Sequence, residues 1–304
     1  MKTYDVLVAG EINPDLILSG DVTPEFGQVE KLVADAALTV GSSSAIFACG
    51  AARLGLNVAF IGLCGDDVFG QFMLAEMQRR GVDVSPVIVR PDGQTGFSVI
   101  INRGEDRAIL TYPGLISALR AADIPGDLLA RSRHLHVASY FLQTALQPDL
   151  PALFRRAHSL GLSTSLDPNY DPSERWAGFD ELLPLTDIFL PNQQEALSLT
   201  RTTAIADAAR KLARQTGVAA IKLGAAGALA AQGDALVRAS SIPVQVVDTV
   251  GAGDSFDAGF IYGHLHDWPL DKTLRLAAVC GALSTRQPGG VAAQPDIEEA
   301  MAYI

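Results

Sequence analysis

The chain has 304 residues, 48% of them hydrophobic but only 7% aromatic, and carries 23 basic against 34 acidic side chains for a net charge of −11. That length allows one large α/β domain with a core of aliphatic side chains and alanine. The charge excludes broad nucleic-acid binding, which needs cations to neutralise phosphates, and no apolar run approaches the ~20 residues of a membrane span.

An apolar strand is expected at 4–9, entered without a basic leader and long apolar segment, which points to a soluble, cytoplasmic protein. Residues 11–40 are strand-like and loop-rich. A helix is expected at 43–54, a buried strand at 58–63 and a helix at 69–80. Residues 95–101 and 107–112 alternate their side chains about the polar turn 102–106, which predicts a half-exposed antiparallel hairpin. A strand follows at 135–139, with His134 and His136 pointing the same way. That pair reads as structural or surface histidines rather than as metal ligands. Helices are expected at 150–160, 204–216, 255–266 and 270–286, with strands at 163–167, 188–190 and 219–223. Cys49, Cys64 and Cys280 lack paired spacing, so they read as reduced, buried thiols with no structural zinc.

Strands alternating with helices imply a mostly parallel sheet flanked by helices on both faces. The expected organisation is one α/β domain over 1–304, with a small antiparallel β lid inserted from about 11–40 and 95–112.

The strongest local signal runs from Asp248 to Phe260. Gly251, Ala252 and Gly253 let backbone approach a ligand closely, ahead of an acidic residue that opens an apolar helix. Amides at that helix start suit an anion. Asp254 then stands beside the anion as a candidate base, the arrangement that phosphoryl transfer to a hydroxyl requires. Taken alone, Asp254 could equally be an N-cap behind a tight turn.

The thirteen-residue string resembles the C-terminal signature of the ribokinase-like, or PfkB, carbohydrate kinases, and the likeness extends over nearly the whole chain. It implies an ATP-dependent kinase with a ribokinase-like fold, Asp254 as base and the 251–253 amides as anion hole. Gly10-Glu11-Ile12-Asn13-Pro14-Asp15 is similar to the family's first strand and substrate loop, which gives Asn13 and Asp15 to the substrate. Gly41 to Gly55 is similar to the N-terminal signature and adds Gly41 and Ser42; Asp167-Pro168-Asn169 adds Asn169. Asn192-Gln193-Gln194-Glu195 matches an Asn-x-x-Glu motif, implying Asn192 near phosphate and Glu195 on Mg²⁺ through water. Lys222, Gly224 and Gly227 fall on the nucleotide-side loop, and Asp248 lies where relatives hold a monovalent cation, so K⁺ is a candidate activator. A homodimer through the lid is also implied.

Two departures concern the substrate. Ser42 stands at the signature's second glycine and Ile46 at its asparagine. Relatives acting on keto-deoxy sugar acids carry Arg shortly after Asp-Pro-Asn, whereas this chain has Asp171, which would repel an acid. The expected acceptor is therefore a neutral sugar or polyol. A nucleoside kinase, with Phe26, Phe97 or Tyr112 as platform for a base, and a catalytically silent sugar sensor are the alternatives. P-loop, dinucleotide-binding and nucleophile-elbow motifs do not occur.

Overall fold

The computed structural model describes residues 2–103 and 106–304. In chain order it forms β1 (Tyr4–Ala9), β2 (Pro14–Ser19), β3 (Asp35–Val40), α1 (Ser43–Arg53), β4 (Val58–Ile61), β5 (Leu63–Gly65), α2 (Val68–Arg79), β6 (Ile88–Arg90), β7 (Phe97–Arg103) and β8 (Asp106–Tyr112). There follow α3 (Gly126–Ala130), β9 (Ser132–Val137), α4 (Leu150–Ser159), β10 (Ser163–Leu166), β11 (Ile188–Phe189), α5 (Gln193–Thr200), α6 (Ile205–Ala213), β12 (Val218–Lys222), β13 (Ala228–Gln232), β14 (Ala235–Ala239), α7 (Ala252–Leu265), α8 (Leu270–Ser284) and α9 (Ile297–Met301).

Eight strands make the main sheet in the order β14-β13-β12-β11-β10-β9-β1-β4, parallel from β12 to β4 and antiparallel at β13 and β14. Period-two alternation puts alternate residues on opposite faces. In β1, Val6 and Val8 join the core under α1, α7 and α8, while Leu7 and Ala9 join the core under α4 and α6. Both faces are covered, which is why the strands read as continuous apolar runs. Chain order reverses at β1, which sits between β4 and β9. In open α/β sheets that reversal opens a crevice beyond the carboxyl ends of the strands.

A second sheet, β3-β2-β7-β8, is antiparallel except for the β2–β7 pair. The expected hairpin is present, and Gly104 and Glu105 of its turn lie outside the described residues. No helix among the described residues is long and apolar enough to cross a membrane. The three cysteines are free and buried.

Where β1, β4 and β12 turn valine, phenylalanine and alanine toward α1 and α7, β9 and β10 turn a polar ladder. His134 donates or accepts at Ser163 Oγ and Ser165 Oγ, both at 2.7 Å, and His136 Nδ1 meets Ser165 Oγ at 2.7 Å. His136 also stacks on Phe47 at 3.6 Å. Both histidines are fully buried, and burial holds them neutral, pushing His136 down to about 3. They are structural, not surface, residues.

Ser165→Ala would strip a partner from two buried imidazoles at once. The expected cost is about 2 kcal/mol, or ~3 °C in Tm for a chain of 304 residues, with turnover per folded molecule unchanged. Thermal melts beside a kinase assay check this; an unchanged Tm would show that the ladder contributes nothing.

Candidate active site

The site gathers where strands end and helices start. Gly251 is the N-cap of α7, with φ +71. A side chain there would meet Gly290 Cα at 2.6 Å and Ile46 Cγ2 at 2.9 Å, so both conformation and space require glycine. The Gly251 carbonyl accepts from Ser255 N at 2.9 Å and closes the first turn. The helix thus begins at Ala252, three residues before the expected start at 255, and Asp254 lies inside the first turn rather than capping it. Of the three expected anion-hole amides, that of Ala252 is turned toward the Thr249 carbonyl at 3.3 Å.

Asp254 is 7% exposed. Burial, then the nearby charge of Asp167, pushes its carboxyl up to about 8, with Lys222 and a hydrogen bond from Ser43 acting the other way. One oxygen each of Asp167, Asp254 and Asp257 lie within 4.8 Å of one another, and all three residues are buried. Asp257, one turn further along α7, was not singled out in the sequence; its meaning lies in these neighbours, which no local spacing reveals. The Lys222 ammonium donates to Asp167 Oδ2 at 2.7 Å and to both oxygens of Asp257 at 3.2 Å. Burial alone would lower Lys222, but Asp167, Asp257 and Glu195 hold it well above its ordinary value. Burial would raise Asp167 too, yet Lys222 keeps it ionised, while burial holds Asp257 up. Lys222, expected to serve the nucleotide, lines the apolar cleft, and its ammonium is held by these carboxylates.

On one side of α7 a cleft of about 520 Å³ runs from Lys222 and Gly253 past Gly224 and Gly227 to the apolar walls of Val244, Phe256 and Ala278. Gly224 and Gly227 have φ of +58 and +88, and a side chain at Gly227 would strike the Ala239 carbonyl at 2.0 Å. Its lining is mostly apolar, with the start of α7 and Lys222 at one end.

On the other side lie the residues assigned to the substrate. Asn13 donates to Asp15 Oδ1 at 3.4 Å, and both are buried. Gly41 makes room for that pair, since a side chain there would fall 2.2 Å from Asp15 Oδ1. Asn169, at φ +53, donates to Ser43 Oγ at 3.0 Å and accepts from Ser139 N at 2.7 Å. Ser43 therefore links Asn169 to Asp254. Ser42 is differently employed: its hydroxyl donates to the Glu11 carbonyl at 2.7 Å and accepts from Ala45 N at 3.0 Å, capping α1. Glu11, another residue the sequence did not single out, accepts from Ser42, Ser44 and Ser139 hydroxyls and from Ser44 N.

Asn192 and Glu195 form a reciprocal cap on α5. Asn192 Oδ1 accepts from Glu195 N at 3.0 Å, and Glu195 Oε2 accepts from Asn192 N at 2.7 Å. Glu195 is 4% exposed; burial and then Asp167 push it up to about 7. Asp248 accepts from Val250 N at 3.0 Å and Gly289 N at 2.9 Å, latching the 248–250 turn to the loop behind Gly251. Asp171 accepts from Ser173 N, Ser173 Oγ and Trp176 N within its own loop; burial would raise its carboxyl, but these hydrogen bonds hold it below its ordinary value, so it remains an anion.

A family model described as pfkB family carbohydrate kinase matches residues 4–297. A sugar kinase from Archaeoglobus fulgidus is 33% identical over 229 residues, covering 75% of this chain and 90% of its own. The 2-dehydro-3-deoxygluconokinase of Bacillus subtilis is 31% identical over 301 residues, covering 92% and 90%. Among solved structures, a putative ribokinase II from Escherichia coli in complex with ATP and Mg²⁺ superposes with a TM-score of 0.87 at 23% identity, covering 99% and 98%, which shows a shared fold.

From about pH 4, the ordinary aspartate value, up to about pH 8, the folded chain keeps a proton on Asp254 that the unfolded chain has released. This group therefore makes folding less favourable as pH rises through that window. Asp254→Asn cannot ionise, so it is expected to melt above the native chain at pH 8, by ~2 °C or more, with the gap closing toward pH 5. Melting curves at both pH values check this; an equal gap at both would show that the carboxyl is not held protonated.

Proposed function

Because the chain belongs to the pfkB family of carbohydrate kinases, ATP-dependent phosphotransferases with an alcohol acceptor, we propose that it phosphorylates a hydroxyl of a small sugar or polyol with Asp254 as general base. The observation that carries this reading is the placement of Asp254: buried in the first turn of α7, next to Gly253 of the apolar cleft and joined through Ser43 to Asn169 of the residues assigned to the acceptor. A cation arriving with the nucleotide would favour the ionised form of Asp254, and that carboxylate would take the proton of the acceptor hydroxyl as its oxygen attacks the γ-phosphorus. Amides of Gly251 and Gly253, at the positive end of α7, would face the charge that develops on the transferred group. Carboxylate, amide and hydroxyl groups on the acceptor side suit the hydroxyls of a polyol.

Adenine would occupy the cleft lined by Val244 and Phe256, with Gly224 and Gly227 letting backbone approach the phosphates. The donor set at the phosphate end fits a divalent cation: Glu195 and Asp254 are buried carboxyls served by one ammonium, so a cation arriving with the nucleotide relieves their charge. Glu195 would hold Mg²⁺ through water, and when bound the ion supplies charge neutralisation on the phosphates. Asp248 and the carbonyls beside it are the candidate K⁺ site. The β3-β2-β7-β8 sheet would be the lid of a single domain, closing on the acceptor to exclude water. Its edge strand β8 exposes Ile109 and Leu110, apolar surface that a second copy would cover in a homodimer.

The Asp171 carboxyl, held ionised by its own loop, supports a neutral sugar or polyol over a sugar acid, and sugar acids belong in the acceptor panel as the test of that preference. The Phe69–Phe97–Tyr112 ring cluster, with centroids 5.0 and 5.8 Å apart, is where a nucleoside base would stack if the acceptor were a nucleoside.

ATP consumption with Mg²⁺ across sugars, polyols, sugar acids and nucleosides is expected to give a sugar-class hit. Asp254→Asn should reduce that turnover by roughly 10²–10⁴-fold with nucleotide binding retained, and chelation should abolish it. Near-native turnover in the variant would remove Asp254 as base; tight acceptor binding with no ATP consumption would favour a sensor.

A further inference from the structure

Three carboxylate oxygens within 4.8 Å of one another, from Asp167, Asp254 and Asp257, need a positive charge or protons between them. Among the described residues that pair with this cluster, the cation is Lys222. We propose that Lys222 and Asp257 are positioning residues of the phosphoryl transfer: the ammonium is a resident counter-cation against which the base Asp254 is set, and Asp257 and Asp167 clamp it there. The proposal rests on Asp254 being the base.

The clamp is built from three separate elements. Lys222 is the last residue of β12, fixed by its own amide, which donates to the Pro191 carbonyl at 3.0 Å. Its side chain reaches the first turn of α7, since an atom added at Gly253 would lie 3.5 Å from Nζ. There Nζ meets Asp167 Oδ2 at 2.7 Å, from the end of β10, and both Asp257 oxygens at 3.2 Å, from α7. Asp257 follows Asp254 by three residues, so both carboxylates emerge on the same face of the helix. Moving the ammonium would thus move the charge that faces the base. Lys222 side-chain exposure is 12%, and those of Asp167 and Asp257 are 2% and 1%, so solvent screens the set weakly.

A lysine whose task were to bind ATP would leave its donors toward the cleft. Here three of its contacts are to carboxylate oxygens, of two of the three acids whose oxygens lie together. The two roles separate kinetically. A nucleotide ligand acts on the KM for ATP; a counter-cation of the base acts on kcat.

The test is Lys222→Ala and Asp257→Asn, each assayed at saturating acceptor with varied ATP, with propylammonium added to the alanine variant. Both should lose roughly 10²-fold or more in kcat while the KM for ATP stays within about threefold, and propylammonium should restore part of the kcat of Lys222→Ala. A raised KM with kcat intact would overturn the proposal in favour of a phosphate ligand, and unchanged kinetics in both variants would overturn it outright. Asp257→Asn preserves volume, so its kcat decides the matter if removal of the lysine prevents folding. Failure of the base assignment shows separately, as near-native turnover in Asp254→Asn.

Discussion

One ammonium faces the carboxyl groups of Asp167, Asp254, Asp257 and Glu195 at the start of α7, and the rest of the site is arranged around that imbalance. Taking a carboxylate out of water costs several kcal/mol unless charge or hydrogen bonds replace the water. Lys222 repays this for Asp167, so Asp254, Asp257 and Glu195 rise toward neutrality. A site left short of positive charge has a physical reason to accept a nucleotide that brings a cation with it. The same shortage makes the unliganded site less stable than its packing alone would make it, the usual relation between activity and stability at a buried site.

Backbone strain falls on the same place. Ser42, Ser139 and Asn169 all have left-handed φ, at 66, 53 and 53, although none is glycine. Ser42 precedes α1, while Ser139 and Asn169 follow β9 and β10, so each turns the chain at the crevice where strand order reverses. Side chains hold these conformations. Ser42 and Ser139 hydroxyls donate to Glu11, and Asn169 ties its own loop to both Ser139 and Ser43. Glu11 is thus a buried hub that joins the loop after β1 to the ends of β3 and β9.

How far the sequence reveals this depends on whether the chemistry is contiguous. Gly251 to Asp254 carry the proposed anion hole and base within four residues, and Asn192 with Glu195 carry a reciprocal cap at fixed spacing; both are legible in a line of letters. The parallel sheet is legible too, because strands covered on both faces read as apolar runs. Glu11 and Asp257 are not, since their partners come from elements 128 and 35 residues away. The β13–β14 hairpin escapes notice because Ala228, Ala230 and Ala231 lack the β-branched bulk that marks a strand. The start of α7 moves because Ala252-Gly253 reads as loop by propensity, while packing on α8 and the strained Gly251 carry the helix across it.

Asp171 is legible in sequence as an acid near the Asp167-Pro168-Asn169 turn, but its partners are not. Its position after Asp167-Pro168-Asn169 suggests a carboxylate facing the acceptor. Yet a short acid followed two residues later by Ser173 has nearer partners in its own backbone, and aspartate takes them readily. The consequence reaches beyond one side chain. Phosphate-side chemistry is common to any alcohol acceptor, so the local string can specify it. Acceptor choice depends on which polar side chains still point outward after the loops have satisfied themselves. Ser42 caps α1 and Asp171 holds its own loop, while Asn13 bonds Asp15 and Asn169 bonds Ser43 and Ser139. The loop hydrogen bonds therefore constrain the acceptor side in a way that no local string of residues displays.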